Sequence, residues 1–447
     1  MPLTTPAVDL ALAPPSLRHV QARAAEIKHP MMRPVPIDLQ GGLTPDSAAL
    51  LAVIINPSLR AERNRRAVSS AQLVQAQLLP NPTLDFSYDP VTGGNTLGAV
   101  TAYSVGPSWE VTALITHEAK VAAARAENAS VQLDVAWQEW QFAQAAKKAV
   151  YDLIALRGEL EETQAVDRQV AEELALVRRA VDAHQQTLLE LSAAQTASQK
   201  AHADFLAAQR DFIHQQLLLN QSLGLAPEMQ VRLSANVQLP SKLVLPADPE
   251  LLADLDNRRL DLLALRRGYE SQEQNLRAAV LGQFPRIVLG VHQASDNTGV
   301  QSTGFGITVD LPIFDRNQGN IAIQTATRQQ LFDEYASRIF EARSMIAQTL
   351  ADIRSIADQI AAAEAAIGPL EQLVKTYQTA LAQHNADVLS YYLAQNDLSQ
   401  KRIDVLKLKQ QLMDNQIALE IASGRYLPEP PAMGPSTRPI ATAEARP

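Results

Sequence analysis

Two long tracts of the chain, residues 117–222 and 319–423, repeat apolar positions every three or four residues. In the first, Val166, Val170, Leu174, Val177 and Val181 are spaced 4, 4, 3 and 4 apart. In the second, Ile346, Leu350, Ile353, Ile356 and Ile360 are spaced 4, 3, 3 and 4 apart. A stripe this narrow belongs to a coiled coil rather than to the wider face of a globular helix. One unbroken helix over such a tract would be about 160 Å long at 1.5 Å per residue. A fold-back near the middle is therefore expected, with antiparallel arms of roughly 75–100 Å. The locally polar stretches DAHQQT and AQHNAD, around His184 and His384, are the expected tips. Gly224 and Gly424, each followed by a proline (Pro227, Pro428), read as helix-end glycines.

Ahead of each tract the period changes. TLDFSY at 83–88 alternates apolar and polar, the strand period. A turn-rich loop from Asp89-Pro90 through Gly93-Gly94-Asn95 leads to a second strand candidate at about 98–111. In the second half, strands are expected at 286–293 and 304–314, separated by the polar ASDNTGVQST. Each half thus predicts one β-hairpin. Thr44 is the expected N-cap of a helix with Pro45 at its first position, Asn56-Pro57 a break, and Pro80-Asn81-Pro82 a stop. A helix over about 248–281 is its counterpart in the second half.

These segments occur twice at an offset of 200 residues: His184 with His384, Leu189 with Leu389, Gln195 with Gln395, Gly224 with Gly424, Gly106 with Gly306. A repeat this long, holding both structure types, is two copies of one strand-plus-helical-hairpin unit. The expected organisation is a Pro-rich extended tail at 1–42 and a first repeat at 43–224, with its hairpin at 83–111 and helical hairpin at 117–222. A linker at 225–247 leads to a second repeat at 248–427, with hairpin 286–314 and helical hairpin 319–423, and a disordered tail at 428–447. The fold class is mostly α with a small β part.

Composition narrows the function. Apolar residues make up 46% but aromatics only 5%, as in long, closely approached helices. The formal net charge of −9, without a Lys/Arg cluster, disfavours nucleic acid. With no cysteine, disulfides, thiolate metal sites and Cys nucleophiles are excluded. No phosphate-cradling Gly-rich loop, GxSxG or HExxH is present, so no enzyme and no cofactor is expected. No run of about 18 apolar residues exists, and the N-terminus lacks the basic start and apolar stretch of a signal peptide. Four strands cannot close a barrel, and an open edge cannot sit in lipid, so membrane strands would require several chains.

LTPDSAALLAVIINPSLRAERNRR with AQLLPNPTL, the weaker NRRLDLLALRR with FPRIVLGV, GITVDLPIFDRNQGNIAIQTATRQQ and QQLLLNQSLGL together resemble the TolC-like outer-membrane efflux channels. The resemblance covers about 43–427 and occurs in both halves in order. It implies a homotrimer with a 12-stranded β-barrel in the outer membrane of a Gram-negative bacterium and a periplasmic α-helical tunnel. It further implies docking on a periplasmic adaptor and an inner-membrane pump, with export of solutes such as heavy metals or drugs. The overall pattern is nearest the heavy-metal branch.

By the same resemblance, His184, Gln185, Thr187, His384, Asn385 and Asp387 are the adaptor-docking tips. His184 and His384 stand where the family commonly has Gly. Glu190, Asp387 and Ser390 are the tunnel-constriction candidates, competing with a reading as solvated helix-surface residues. The tip histidines are read as polar turn residues, with no metal. Trp109 suits an interfacial belt, while Trp137 and Trp140 suit packing. The rival class is a soluble coiled-coil scaffold or adaptor, which the helices alone permit and the hairpins do not explain.

Overall fold

The computed structural model describes residues 4–12, 17–38, 41–94, 97–383 and 387–427. In chain order its elements are α1 (Thr5–Leu12), α2 (Leu17–Ala25), α3 (Pro45–Ile55), α4 (Pro57–Gln77), β1 (Thr83–Asp89), β2 (Ala102–Glu110), α5 (Ala113–Asp182) and α6 (Leu188–Leu223). The second half follows with α7 (Asp248–Leu252), α8 (Leu255–Arg258), α9 (Leu260–Leu281), β3 (Ile287–Ser295), β4 (Gln301–Val309), α10 (Gln318–Ala382) and α11 (Val388–Ser423).

The repeat is visible to the residue. α6 and α11 are each 36 residues long, displaced by 200, and each ends on a left-handed glycine, Gly224 at φ 75° and Gly424 at φ 61°. The chain nevertheless packs as two compact units that cut across the repeats. One joins Met1–Arg60, Gln138–Leu255 and Ala342–Pro447; the other joins Ala61–Trp137 and Asp256–Glu341. Each unit draws on both copies, so a repeat is not a folding body of its own.

In the first unit α3 is buried on nearly every side, which suits its run AALLAVII. Thr44 caps it, accepting from Ser47 N while Ser47 Oγ accepts from Thr44 N at 2.8 Å. α3 stops at Asn56, whose side chain accepts from Ser58 N and donates to Ser222 O at 2.8 Å. The end of α6 therefore meets the α3–α4 junction. Gly224 lies so close that a Cβ there would be 2.7 Å from Asn56 Cα.

Four expectations are corrected. Residues 5–12 and 17–25 are helical rather than extended, and α2 buries Val20 and Ala24 against α3. The fold-backs are not central: α5 and α10 span 70 and 65 residues, their partners 36 each. The stretch at 248–281 is three helices, broken at Asp254 (φ 52°) and at Arg259. The last strand spans 301–309, and Leu311, Ile313 and Phe314 lie beyond it, exposed. The tail at 428–447 lies outside the described residues.

The second unit holds one antiparallel sheet in the order β1-β2-β3-β4. Phe86 pairs with Val105, Ser108 with Gly290, and Val291 with Phe305. The β2–β3 ladder joins the two repeats and skips Gly106 and Pro107, where the proline has no N–H to give.

Candidate functional site

Each unit offers one candidate surface. In the helical unit it is the tips. α5 ends in a turn where Gln185 N donates to Ala180 O at 2.8 Å and His184 N to Val181 O at 2.9 Å. The six-residue closure needs a left-handed residue inside it, and His184 takes that place at φ 61°. This is where glycine is usual, so the histidine carries a backbone cost of about 1 kcal/mol. Thr187 then caps α6. Its N–H and Oγ1 donate to Glu190 Oε2 at 2.7 and 2.9 Å, and Glu190 N donates back to Thr187 Oγ1 at 3.3 Å. Gln185 is exposed beside it.

At the second tip the described residues begin again at Asp387. Asp387 caps α11, accepting from Leu389 N at 3.2 Å and from Ser390 Oγ at 3.5 Å. His384 and Asn385 lie outside the described residues. The three constriction candidates, Glu190, Asp387 and Ser390, are thus all engaged in capping. The carboxylates sit at helix N-termini, where the backbone dipoles favour negative charge.

Behind the tips, Val170, Val177, Ala194, Ala201, Val388, Tyr391 and Tyr392 form one apolar cluster drawn from α5, α6 and α11. The α5 stripe supplies its first side and the Ala-rich face of α6 its second. Val374, Tyr377 and Leu381 of α10 pack against it. Within it lies a polar group that sequence reasoning missed. Tyr391 OH donates to Glu173 Oε1 at 2.6 Å and accepts from Gln169 Nε2 at 2.9 Å. Gln169 also donates to Glu173 Oε1 at 3.1 Å. The other carboxylate oxygen, Oε2, is buried without a described partner.

Burial pushes the Glu173 carboxyl above its ordinary value, against the pull of Tyr391 and Gln169. Burial, reinforced by Glu173, raises the Tyr391 hydroxyl as well. Tyr392 is pushed up to about 12, by burial and then by the Glu173 charge. The only sequence signal was the YY pair one turn into α11, which no helical period marks as polar.

Further along, α5 and α11 meet through ionic layers: Lys148–Asp414 at 2.6 Å, Lys407–Glu159 at 3.1 Å and Arg402–Glu162 at 3.4 Å. Gly158 lets the helices approach, since a Cβ there would be 3.0 Å from Leu406 Cδ1. An open groove of about 660 Å³ runs among α5, α6 and α11, flanked by Val166, Ala197, Leu389 and Tyr392. Among the described residues no group of three or more His, Cys, Asp or Glu could hold a metal. No described helix is long and apolar enough to cross a membrane.

In the other unit the candidate surface is the sheet. Its strands alternate over most of their length, with Gln293, Ser295, Gln301 and Thr303 continuing the apolar side at one end, and the register brings apolar side chains together. Leu84, Phe86 and Tyr88 of β1 lie beside Pro107, Val105 and Tyr103. Leu289 and Val291 lie beside Ile307 and Phe305. These side chains make one apolar face, and it is open: Phe86 is 69% exposed and Phe305 81%. The opposite face carries Thr83, Asp85, Ser87, Ser104, Ser108, His292 and Thr308 with Gly106, Gly290, Gly304 and Gly306. β1 and β4 each pair on one side only. Trp109 ends the apolar face, its Nε1 donating to Pro80 O at 2.7 Å. Trp137 and Trp140 are buried.

Residues 251–425 match the model of a family described as outer membrane efflux protein. The cation efflux system protein CusC of Escherichia coli O157:H7 is 31% identical over 220 residues. That match takes in 47% of this chain and 46% of CusC, so it spans less than half of the relative's length. The fold is shared more widely. A crystal structure of CusC superposes with a TM-score of 0.72 at 19% identity, over 90% of this chain and 99% of that one. VceC, an outer membrane protein of Vibrio cholerae, gives 0.72 at 17% identity, over 85% and 96%.

Proposed function

We propose that this chain is an outer membrane efflux protein, the family whose model residues 251–425 match, and that three copies form an outer-membrane export channel. The sheet carries the argument. A four-stranded sheet with a bare apolar face and two unpaired edges is unstable in water and aggregation-prone. In a bilayer every backbone polar group needs a partner, so such a sheet must close on further strands. Three sheets of four strands make a closed 12-stranded barrel, with the alternation apolar toward lipid and polar toward the lumen. The soluble-scaffold alternative leaves this face uncovered.

The protein sits in the outer membrane of a Gram-negative cell with its helices in the periplasm. There the four tip-forming helices of each copy line a tunnel. Its polar tips, with His184, Gln185 and Thr187 from one hairpin and His384, Asn385 and Asp387 from the other, dock on a periplasmic adaptor served by an inner-membrane pump. The constriction role falls to Asp387 and Glu190, with Ser390 beside them, acting from helix N-termini. The cargo we infer is a cation, after the name of the matched relative. The channel moves solutes without chemistry of its own.

The test is the detergent-extracted mass and planar-bilayer conductance of the purified chain. A trimer with stable ion conductance is the expected result. A water-soluble monomer or dimer without conductance refutes the proposal.

A further inference from the structure

We infer that α10 is hinged at Gly368–Pro369, and that residues 370–382 beyond the hinge swing against an anchored α11. The hinge belongs to a single chain and does not need the channel reading. Pro369 is the only described proline beyond the first turn of a helix. It has no N–H to give the carbonyl of Ala365, and its ring crowds that carbonyl. Gly368 beside it brings the least restricted backbone of any residue. Its side is open, since an added Cβ would meet nothing within 4 Å. Sharp bends in long helices concentrate at such positions.

The repeat supplies the comparison. At the offset of 200 residues Gly368-Pro369 corresponds to Arg168-Gln169 of α5, a pair of good helix formers. Gln169 ties its helix to α11, donating to Tyr391 OH at 2.9 Å, and Val170 and Val177 beyond it are buried. The first copy is therefore stiff and held where the second is neither.

Burial and bonding along α10 divide at the same place. Its stripe of buried residues, Ile346, Leu350, Ile353, Ile356 and Ile360, stops before the hinge. No described residue from 361 to 383 is buried. Val374, Tyr377 and Leu381 touch the apolar cluster but are only partly covered by it. On the near side of the hinge Glu364 lies 2.8 Å from Lys409 Nζ and accepts from Ser241 Oγ at 2.8 Å. On the far side the one described side-chain bond from 370–382 to another helix is Glu371 accepting from Arg402 at 2.8 Å. A stretch with so few buried contacts has low local stability. The start of α11 is different, with Val388, Tyr391 and Tyr392 buried in the cluster. The end of α10 is thus the part that moves, and the second tip opens from that side.

The chain has no cysteine, so spin labels can be placed in pairs on the full-length protein. One pair, Arg178→Cys with Gln378→Cys, reports α10 against α5. A control pair, Arg178→Cys with Gln195→Cys, lies within the first hairpin. All four labelled positions are exposed, and the labelled chain is diluted into unlabelled chain. A bend of about 20° displaces position 378 by about 5 Å. The 178–378 distance distribution from pulsed EPR should therefore be broader than the control by several ångströms. Gly368→Ala/Pro369→Ala should narrow it to the control's width without lowering the thermal midpoint. A wild-type distribution as narrow as the control overturns the inference, as does a breadth that persists in the double variant. A lowered midpoint also overturns it, because Pro369 would then be a packing residue.

Discussion

Glu173 is an acid that the surrounding helices hold in an apolar cluster, and its chemistry follows from that placement. Its folded-state carboxyl titrates above the ordinary glutamate value, because burial disfavours the charge. In the unfolded chain it titrates at the ordinary value. Between the two values the folded protein binds more protons than the unfolded one, so its stability falls as pH rises through that window. The penalty is absent below the ordinary value and complete above the folded one. Glu173→Gln keeps an acceptor for Tyr391 and removes the titration. Urea unfolding at a series of pH values between about 4.5 and 7 should show a flatter stability profile for the variant. It should also show stability at neutral pH at least equal to wild type. An unchanged profile would mean that the carboxylate is solvated in the assembly. The tip carboxylates are placed differently: Glu190 and Asp387 stand at helix N-termini and accept from backbone N–H groups.

Among elements, the joint between α6 and the α3–α4 break shows how sequence punctuation becomes geometry. Asn56-Pro57 breaks one helix and Gly224 ends another, and the fold brings these breaks into contact. Gly224 is required twice there, by its φ of 75° and by the 2.7 Å approach to Asn56 Cα. Gly224→Ala should cost about 1–2 kcal/mol for the left-handed backbone alone, and more for the displaced junction. Thermal unfolding should show a lowered midpoint, whereas Gly319→Ala, where an added Cβ meets nothing within 4 Å, should show little change. The helical stripes at 166–181 and 346–360 were legible because a 3.6-residue period leaves a one-dimensional mark. The tips at 183–187 and after Ala382 were legible from local polarity. Arm length was not. It depends on which partner fills the rest of each long helix, and that is a matter of packing between segments far apart in sequence.

In the whole molecule the helical unit is closed by a buried ionic knot that binds the start of the chain to its end. Lys147 of α5 lies 3.3 Å from Asp46 of α3 and 3.3 Å from Glu420 of α11, with Glu420 wholly inaccessible. Gln144 donates to Glu420 at 2.8 Å, and the Tyr426 hydroxyl donates to Asp46 while its ring lies 5.0 Å from Lys147 Nζ. Burial pushes the Glu420 carboxyl up, and Lys147 opposes it. Lys147→Met strands that carboxylate and should destabilise by about 3–5 kcal/mol. Lys147→Met with Glu420→Gln should recover most of the loss, because the fully buried charge is gone and Asp46, 19% exposed, keeps the Tyr426 hydroxyl. Chemical denaturation of the four members of this cycle measures the coupling. If the two single losses simply add, the pair is not the unit described.

Repeat, helix period, strand alternation, stop signals and the absence of cysteine were all determined by the sequence alone. Each is written in residue order and survives whatever the chain packs against. Its resemblance to outer-membrane efflux channels likewise followed from contiguous segments such as GITVDLPIFDRNQG. Only the tertiary structure decided that the two hairpins share one sheet through β2 and β3, and that its faces separate into apolar and carboxylate-bearing sides. It also decided that the tip acids serve as caps, that a half-buried Glu173 meets Tyr391, and that Lys147 and Glu420 are buried together. The sheet joint and the Glu173–Tyr391 and Lys147–Glu420 pairs span some 180 to 270 residues, whereas the caps close over two or three. Charge and polarity in the sequence do not encode whether a group will meet water or a distant partner, because burial is a property of the packed chain.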